Sequence, residues 1–350
     1  MNADTYVHDL VADTHRRFAF RAQSEPEARN WQRAFRPALV RALGLDRIAQ
    51  RGAPPLRARQ VAVEAQPDHV REEWRLETEP GFELPFYLLR PLHAAGRLPL
   101  VLTPHGHGKQ GKRTYVGLWE TDKDRQEIEA GERDIALQAV REGYLAIAPD
   151  MRGFAALRRR QEIERDANNS CRTLQMHALL FGRTLVGERV WDMQRLLDWA
   201  LAREDVDAER VAITGNSGGG TVSLFTAAVD ERVRVSVPGS YFCTFQHSIG
   251  SVYHCECNYI PGILALGEMY DVAGLIAPRP FLAVTGEEDP IFPIAAVKES
   301  FARLQAIYAV FGAADACQLS VNPGGHRYYK RDVWPFVRKA FGAVGAARRA

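Results

Sequence analysis

Val211-Ala212-Ile213-Thr214-Gly215-Asn216-Ser217-Gly218-Gly219 runs an apolar strand straight into a glycine-flanked serine, and a helical pattern follows from Thr221 to Ala228. Strand, sharp turn and helix in that order match the Gly-x-Ser-x-Gly elbow, in which the serine sits on a strained turn with its hydroxyl above a sheet. Glycines two residues before and after the serine let strand and helix approach closely. The start of the helix also points backbone N–H groups at the same place. The five-residue pattern alone is a common glycine-rich turn; the strand before it and the helix after it give it meaning.

Working outward, the same alternation repeats. Apolar runs at Leu98 to Leu102, Tyr144 to Ala148, Val233 to Val237 and Phe281 to Val284 read as strands buried on both faces. Helical patterns at Ile135 to Arg141, Val190 to Ala202 and Ala295 to Ala309 lie between them. The class is therefore α/β, with a mostly parallel sheet and helices on both faces. Upstream, Val61, Val63, Trp74, Leu76, Phe86 and Leu88 alternate with polar residues, the period of half-exposed antiparallel strands.

Residues 1–58 read as a helical N-terminal extension and 59–350 as the main domain. Ser24-Glu25-Pro26-Glu27 has the form of a capping box, Trp31, Phe35, Leu39 and Leu43 recur at helical spacing, Pro37 predicts a kink, and Gly44 predicts the stop. That apolar stripe fits either the main domain or a second copy of the chain. Residues 240–267 break the alternation; they are rich in aromatics, His and Cys, and are expected to form a lid or pocket wall.

Composition narrows the class of function. With 45 basic and 43 acidic residues the net charge is +2, which gives no reason to expect nucleic acid or a membrane surface as partner. Five scattered cysteines do not suggest a disulfide framework, no basic-then-apolar leader opens the chain, and no apolar run is long enough for a bilayer. A cytoplasmic location is the expectation.

A serine hydroxyl needs a base, and histidine is the usual one. Of ten histidines, His326 ends Val321-Asn322-Pro323-Gly324-Gly325-His326, a flexible loop after a predicted strand. The acid should lie between Ser217 and His326 on a loop leaving a strand. Asp289, in Glu287-Glu288-Asp289-Pro290, fits best, with Glu287 and Glu288 as fallbacks. For the oxyanion, one donor is expected from the backbone of Gly218. The other is expected from Thr103-Pro104-His105-Gly106-His107-Gly108, at His107 or else Gly108.

Metal chemistry competes at two places. His105 and His107 share a face at i and i+2, and Cys255-Glu256-Cys257 puts two sulfurs together. Neither pair has partners at zinc-ligand spacing, so the expectation is no metal, with His105 propping its loop and the thiols packed in a pocket wall. Tyr241, Phe242 and Tyr253 are candidate walls of the substrate pocket.

The chain resembles the α/β-hydrolase superfamily, in its acetyl-xylan-esterase-like and dienelactone-hydrolase-like branch. The resemblance rests on His105-Gly106-His107-Gly108, Asp150-Met151-Arg152-Gly153, Gly215-Asn216-Ser217-Gly218-Gly219, Ala277-Pro278-Arg279-Pro280 through Asp289-Pro290, and Gly324-Gly325-His326. It covers roughly residues 60–343 and implies a sheet of about eight strands, a cap region and no cofactor. The implied activity is serine-esterase cleavage of a carboxylic ester through an acyl-enzyme on Ser217, His326 and Asp289. Substrates would be an acylated carbohydrate or a small-molecule ester. The alternatives are a lactone or dienelactone hydrolase and a non-catalytic ligand-binding module on the same scaffold.

Overall fold

Two kinds of strand build the sheet in the computed structural model, which describes residues 6, 9–11, 13–93 and 96–347. The alternating segments form an antiparallel flank of β1 (Ala58–Ala65), β2 (His69–Glu79) and β3 (Phe82–Pro91). The continuous apolar runs form a parallel block of β4 (Leu98–Leu102), β5 (Leu145–Pro149), β6 (Val206–Asn216), β7 (Val235–Gly239), β8 (Phe281–Gly286) and β9 (Cys317–Asn322). The spatial order is β1-β2-β3-β5-β4-β6-β7-β8-β9, nine strands where the resemblance implied about eight. The two blocks join antiparallel, with Phe86 opposite Pro149.

Because side chains alternate along a strand, each buried strand feeds two cores. On β4, Leu100 and Leu102 join one cluster and Val101 joins the other. The first cluster takes in helices Glu25–Leu43, Leu185–Leu201, Gly218–Val229 and Ile294–Val310, and the second takes in Ile135–Arg141 and Val333–Ala347. Each fully buried Leu or Val contributes about 1.5–3 kcal/mol, so Val101→Asp at this central strand would break the sheet.

The N-terminal helix Glu25–Leu43 belongs to the first core, since Phe35, Leu39 and Leu43 are fully buried there. Its stripe is spent on the main body. Gln32 donates to the carbonyls of Gly274 and Ala277, and Arg36 donates to those of Ala228 and Leu275. The helix runs on through Pro37 and stops at Gly44, whose φ of 76° is left-handed. The capping box does not form as expected. Ser24 holds the cap position without a side-chain bond, while the Glu27 carboxylate accepts from the Gln23 N–H at 2.9 Å. Arg279 ties the far end of helix Gly218–Val229, donating to the carbonyls of Ala227, Asp230 and Val233.

No helix among the described residues is long and apolar enough to cross a membrane.

Candidate active site

Strand β6 delivers Ser217 at its carboxyl end, where ligand sites of open α/β sheets gather. Ser217 has φ 57° and ψ −118°, a conformation strained for a residue with a Cβ, and helix Gly218–Val229 begins directly after it. Glycine is needed at the neighbours because the loop after β4 presses on the turn. A Cβ on Gly215 would lie 2.2 Å from the Pro104 carbonyl oxygen, and one on Gly219 would lie 2.1 Å from it. A Cβ on Gly106 would lie 2.5 Å from the Asn216 carbonyl oxygen.

Asp289 follows β8 and His326 follows β9, so adjacent parallel strands bring together residues distant in sequence. His326 Nδ1 lies 2.8 Å from Asp289 Oδ2. Asp289 is buried, and its Oδ1 accepts from the N–H groups of Ile291 at 3.0 Å and Phe292 at 3.1 Å. This loop turn aims the carboxylate, and the Phe292 ring stacks on the His326 ring at 5.8 Å between centroids. Glu287 and Glu288 are exposed beside it. Ser217 and His326 line one cleft of about 140 Å³, together with His105, Gly106, His107, Gly108, Tyr115 and Arg133. Tyr115 was not expected here; its hydroxyl accepts from the Asn216 N–H at 3.1 Å, one residue before the serine. Burial pushes the Tyr115 phenol up to about 12, so it stays neutral.

The two loop histidines differ. His105 is buried: Nδ1 meets the Gly106 carbonyl at 2.7 Å and Nε2 accepts from the Met151 N–H at 2.9 Å. Burial lowers it to about 4, which keeps the ring neutral in the tautomer those bonds require. His107 turns Nε2 to Cys257 Sγ at 3.4 Å, while its Nδ1 side covers Gly218, lying 3.3 Å from where a Cβ would stand. Desolvation pulls His107 down, but bonds from Cys255 and Cys257 outweigh it and raise it to about 9. His107 keeps solvent contact as a residue, so the thiols decide the direction.

Those thiols come from two segments. Cys255 caps and Cys257 lies within the short helical turn Glu256–Asn258 of the 240–267 connection, and Cys171 opens helix Cys171–Leu180. One ligand atom from each of His107, Cys171, Cys255 and Cys257 lies within 4.8 Å of the others. Among the described residues no other group of metal-ligating side chains converges in this way. Cys171, which the sequence reading left unassigned, is the missing partner of the Cys-x-Cys pair.

The aromatic candidates lie elsewhere. Tyr241 and Phe242 are packed in the core, where Tyr241 meets Phe292 and Phe242 meets Phe281, and Tyr253 is 84% exposed. None of the three lines the Ser217 cleft. Burial of large rings won over pocket lining in this connection. The cleft shares His107, Gly108, Thr114 and Arg133 with a polar hollow of about 690 Å³ that also holds Lys109, Arg113, Asn168 and Asn169. A larger hollow of about 1010 Å³, beside Glu79 and Arg152, touches none of Ser217, Asp289 and His326. Within it Arg152 is paired with Asp192 and Glu79, and Arg183 with Glu79.

Family comparison agrees with this architecture. The model of the abhydrolase family matches residues 1–300. The chain belongs to the abhydrolase family. The match takes in the N-terminal helices as well as the elbow. The chain is similar to a Bacillus subtilis protein named as a hydrolase, YtaP, at 27% identity over 78% of this chain and 87% of that one. It is also similar to a Salmonella typhimurium protein named as a carboxymethylenebutenolidase, at 23% identity over 77% of this chain and 86% of that one. In fold it resembles a Bacteroides fragilis structure described as an acetyl xylan esterase, with a TM-score of 0.77 at 19% identity, covering 93% of this chain and 82% of that one.

Proposed function

We propose that this abhydrolase is a serine esterase that cleaves small acyl groups, acetyl foremost, from a polar alcohol such as a carbohydrate. The observation that carries the reading is a serine held at φ 57°, in one cleft with a histidine whose Nδ1 is engaged by a buried carboxylate. In this mechanism His326 Nε2 takes the proton of Ser217 Oγ as that oxygen attacks the ester carbonyl. Asp289 keeps the proton on Nδ1 and stabilises the imidazolium that forms. The N–H groups of Gly218 and His107 hold the developing oxyanion, each worth about 3 kcal/mol. His326 then gives its proton to the departing alcohol. Water activated by the same nitrogen attacks the acyl-enzyme and releases the acid.

The substrate class rests on size and polarity. A 140 Å³ cleft suits a short acyl group, and the adjoining hollow, with Lys109, Arg113 and Asn169, suits a hydroxyl-rich leaving group. A small lactone also fits the cleft, and the relative named as a carboxymethylenebutenolidase favours that as a second reading. Competing an acetylated xylo-oligosaccharide against a dienelactone, with p-nitrophenyl acetate to butyrate as chain-length gauge, separates the two. Preference for the sugar ester and decline with chain length are expected. Equal turnover of long acyl chains would overturn the small-acyl reading, and labelling by a fluorophosphonate that spares Ser217 would overturn the mechanism.

A further inference from the structure

Along the sequence the Cys255-x-Cys257 pair has no partners at zinc-ligand spacing. The fold supplies them. We propose that Cys171, Cys255, Cys257 and His107 bind one zinc ion in a closed tetrahedral site beside the Ser217 turn. The site's existence does not depend on the esterase reading; only its effect on catalysis does.

Geometry is the first ground. A tetrahedral zinc with Zn–S of about 2.3 Å and Zn–N of about 2.0 Å separates its ligand atoms by roughly 3.5–3.8 Å. Here the four ligand atoms fall within 4.8 Å of one another, and the resolved pair, His107 Nε2 to Cys257 Sγ, stands at 3.4 Å. All five cysteines are free thiols, and Cys171 and Cys257 are buried. Three sulfurs and one imidazole nitrogen are a donor set that selects zinc over magnesium or calcium, which favour oxygen. Four protein ligands leave no open position, which marks a structural rather than a catalytic metal.

Charge is the second ground. Three thiolates and Zn²⁺ leave one net negative charge, on a site whose Cys171 and Cys257 sulfurs lie on buried residues. Arg189 lies against it, with Nη2 donating to Cys171 Sγ at 3.3 Å. Its other bonds go to the Arg152 carbonyl, so the guanidinium is held there by the backbone and not by a carboxylate. On binding, the three thiols and His107 Nε2 give up whatever protons they carry and the ion takes their place. The remaining imidazole proton is then fixed on Nδ1, the side that faces Gly218. The ion therefore clamps the loop after β4 onto the nucleophile turn, with the 240–267 connection and helix Cys171–Leu180 as the other jaws.

The test measures metal, not turnover. The full chain, purified without chelator, is analysed by elemental mass spectrometry, then stripped and titrated with Co²⁺ alone. About one zinc per chain is expected, with tetrahedral visible bands and a thiolate-to-cobalt charge-transfer band. Cys255→Ser, at the half-buried thiol, should weaken cobalt binding beyond the roughly 10–100-fold that outer-shell changes cost. Cys243→Ser and Cys317→Ser should leave it unchanged. A folded wild type with no bound zinc and no cobalt spectrum overturns the site. So does equal loss in the Cys243 and Cys317 variants, or mass-spectrometric evidence of a disulfide among Cys171, Cys255 and Cys257. The wild-type cobalt spectrum decides even where a cysteine variant fails to fold. If Ser217→Ala retains hydrolysis while zinc is present, the esterase mechanism fails and the metal site stands.

Discussion

The two flanks of the Ser217 turn solve one problem, the placing of an imidazole, in opposite ways. On one flank His326 is held by a single buried carboxylate and a stacked ring, and its remaining nitrogen is left for chemistry. On the other flank His107 is drawn toward three sulfurs and spends its Nε2 there. The first arrangement leaves a proton free to travel; the second removes that freedom and turns the side chain into a bracket. The same residue type therefore serves transfer or fixation according to what its second nitrogen meets.

The largest test of this contrast is Ser217→Ala. Turnover of p-nitrophenyl acetate should fall on the order of 10⁴-fold or more with the far-ultraviolet circular dichroism unchanged. Retained turnover would remove the chemistry from the first flank. Asp289→Asn comes next: it keeps the shape but offers an N–H where Nδ1–H must donate, so kcat should drop about 10⁴-fold with little change in KM. A loss confined to KM would mean that Asp289 orders substrate instead of His326. A smaller effect comes from the bracket side. Gly106→Ala places a methyl 2.5 Å from the Asn216 carbonyl oxygen, which must shift the loop away from the turn. About 10²-fold in kcat is expected from such a displacement, and an unimpaired Gly106→Ala enzyme would show that the loop need not press on the serine.

A control lies away from both flanks. Asp271 is buried, accepting from the N–H groups of Phe20 and Glu268, and burial raises it from 3.8 to about 6. The folded state then keeps a proton that the unfolded state has lost between those values. Stability is full below 3.8 and declines as pH rises through about 6, by up to about 3 kcal/mol. Thermal denaturation from pH 4 to 7 should show this decline in the wild type and a flatter profile in Asp271→Asn. Identical profiles would refute it.

The first flank was legible in the sequence because each of its residues stands where a strand ends. The apolar run, the turn residues and the order of Ser217, Asp289 and His326 along the chain are all local signals, and parallel pairing of β8 with β9 does the rest. The second flank was not legible. Cys171 opens a helix in a stretch without a clear period, and its meeting with Cys255 and Cys257 depends on how an irregular connection packs. Spacing rules for metal ligands assume one contiguous motif, and here three segments contribute. Tyr241, Phe242 and Tyr253 were misleading for the same reason: composition revealed an aromatic connection, and only its path decided which rings it buried.

The anchoring of helix Gly218–Val229 has a consequence for how the enzyme responds to its medium. Arg279 meets its tail through the carbonyl groups of Ala227, Asp230 and Val233, with no ion pair among the described residues. Dissolved electrolyte screens exposed pairs such as Arg29 with Glu25, but it has little access to a guanidinium buried among peptide oxygens. The Arg279 tie to the helix that follows Ser217 should thus be indifferent to ionic strength. Lysine could not stand in at position 279, because one ammonium cannot span carbonyls that a planar fork reaches together.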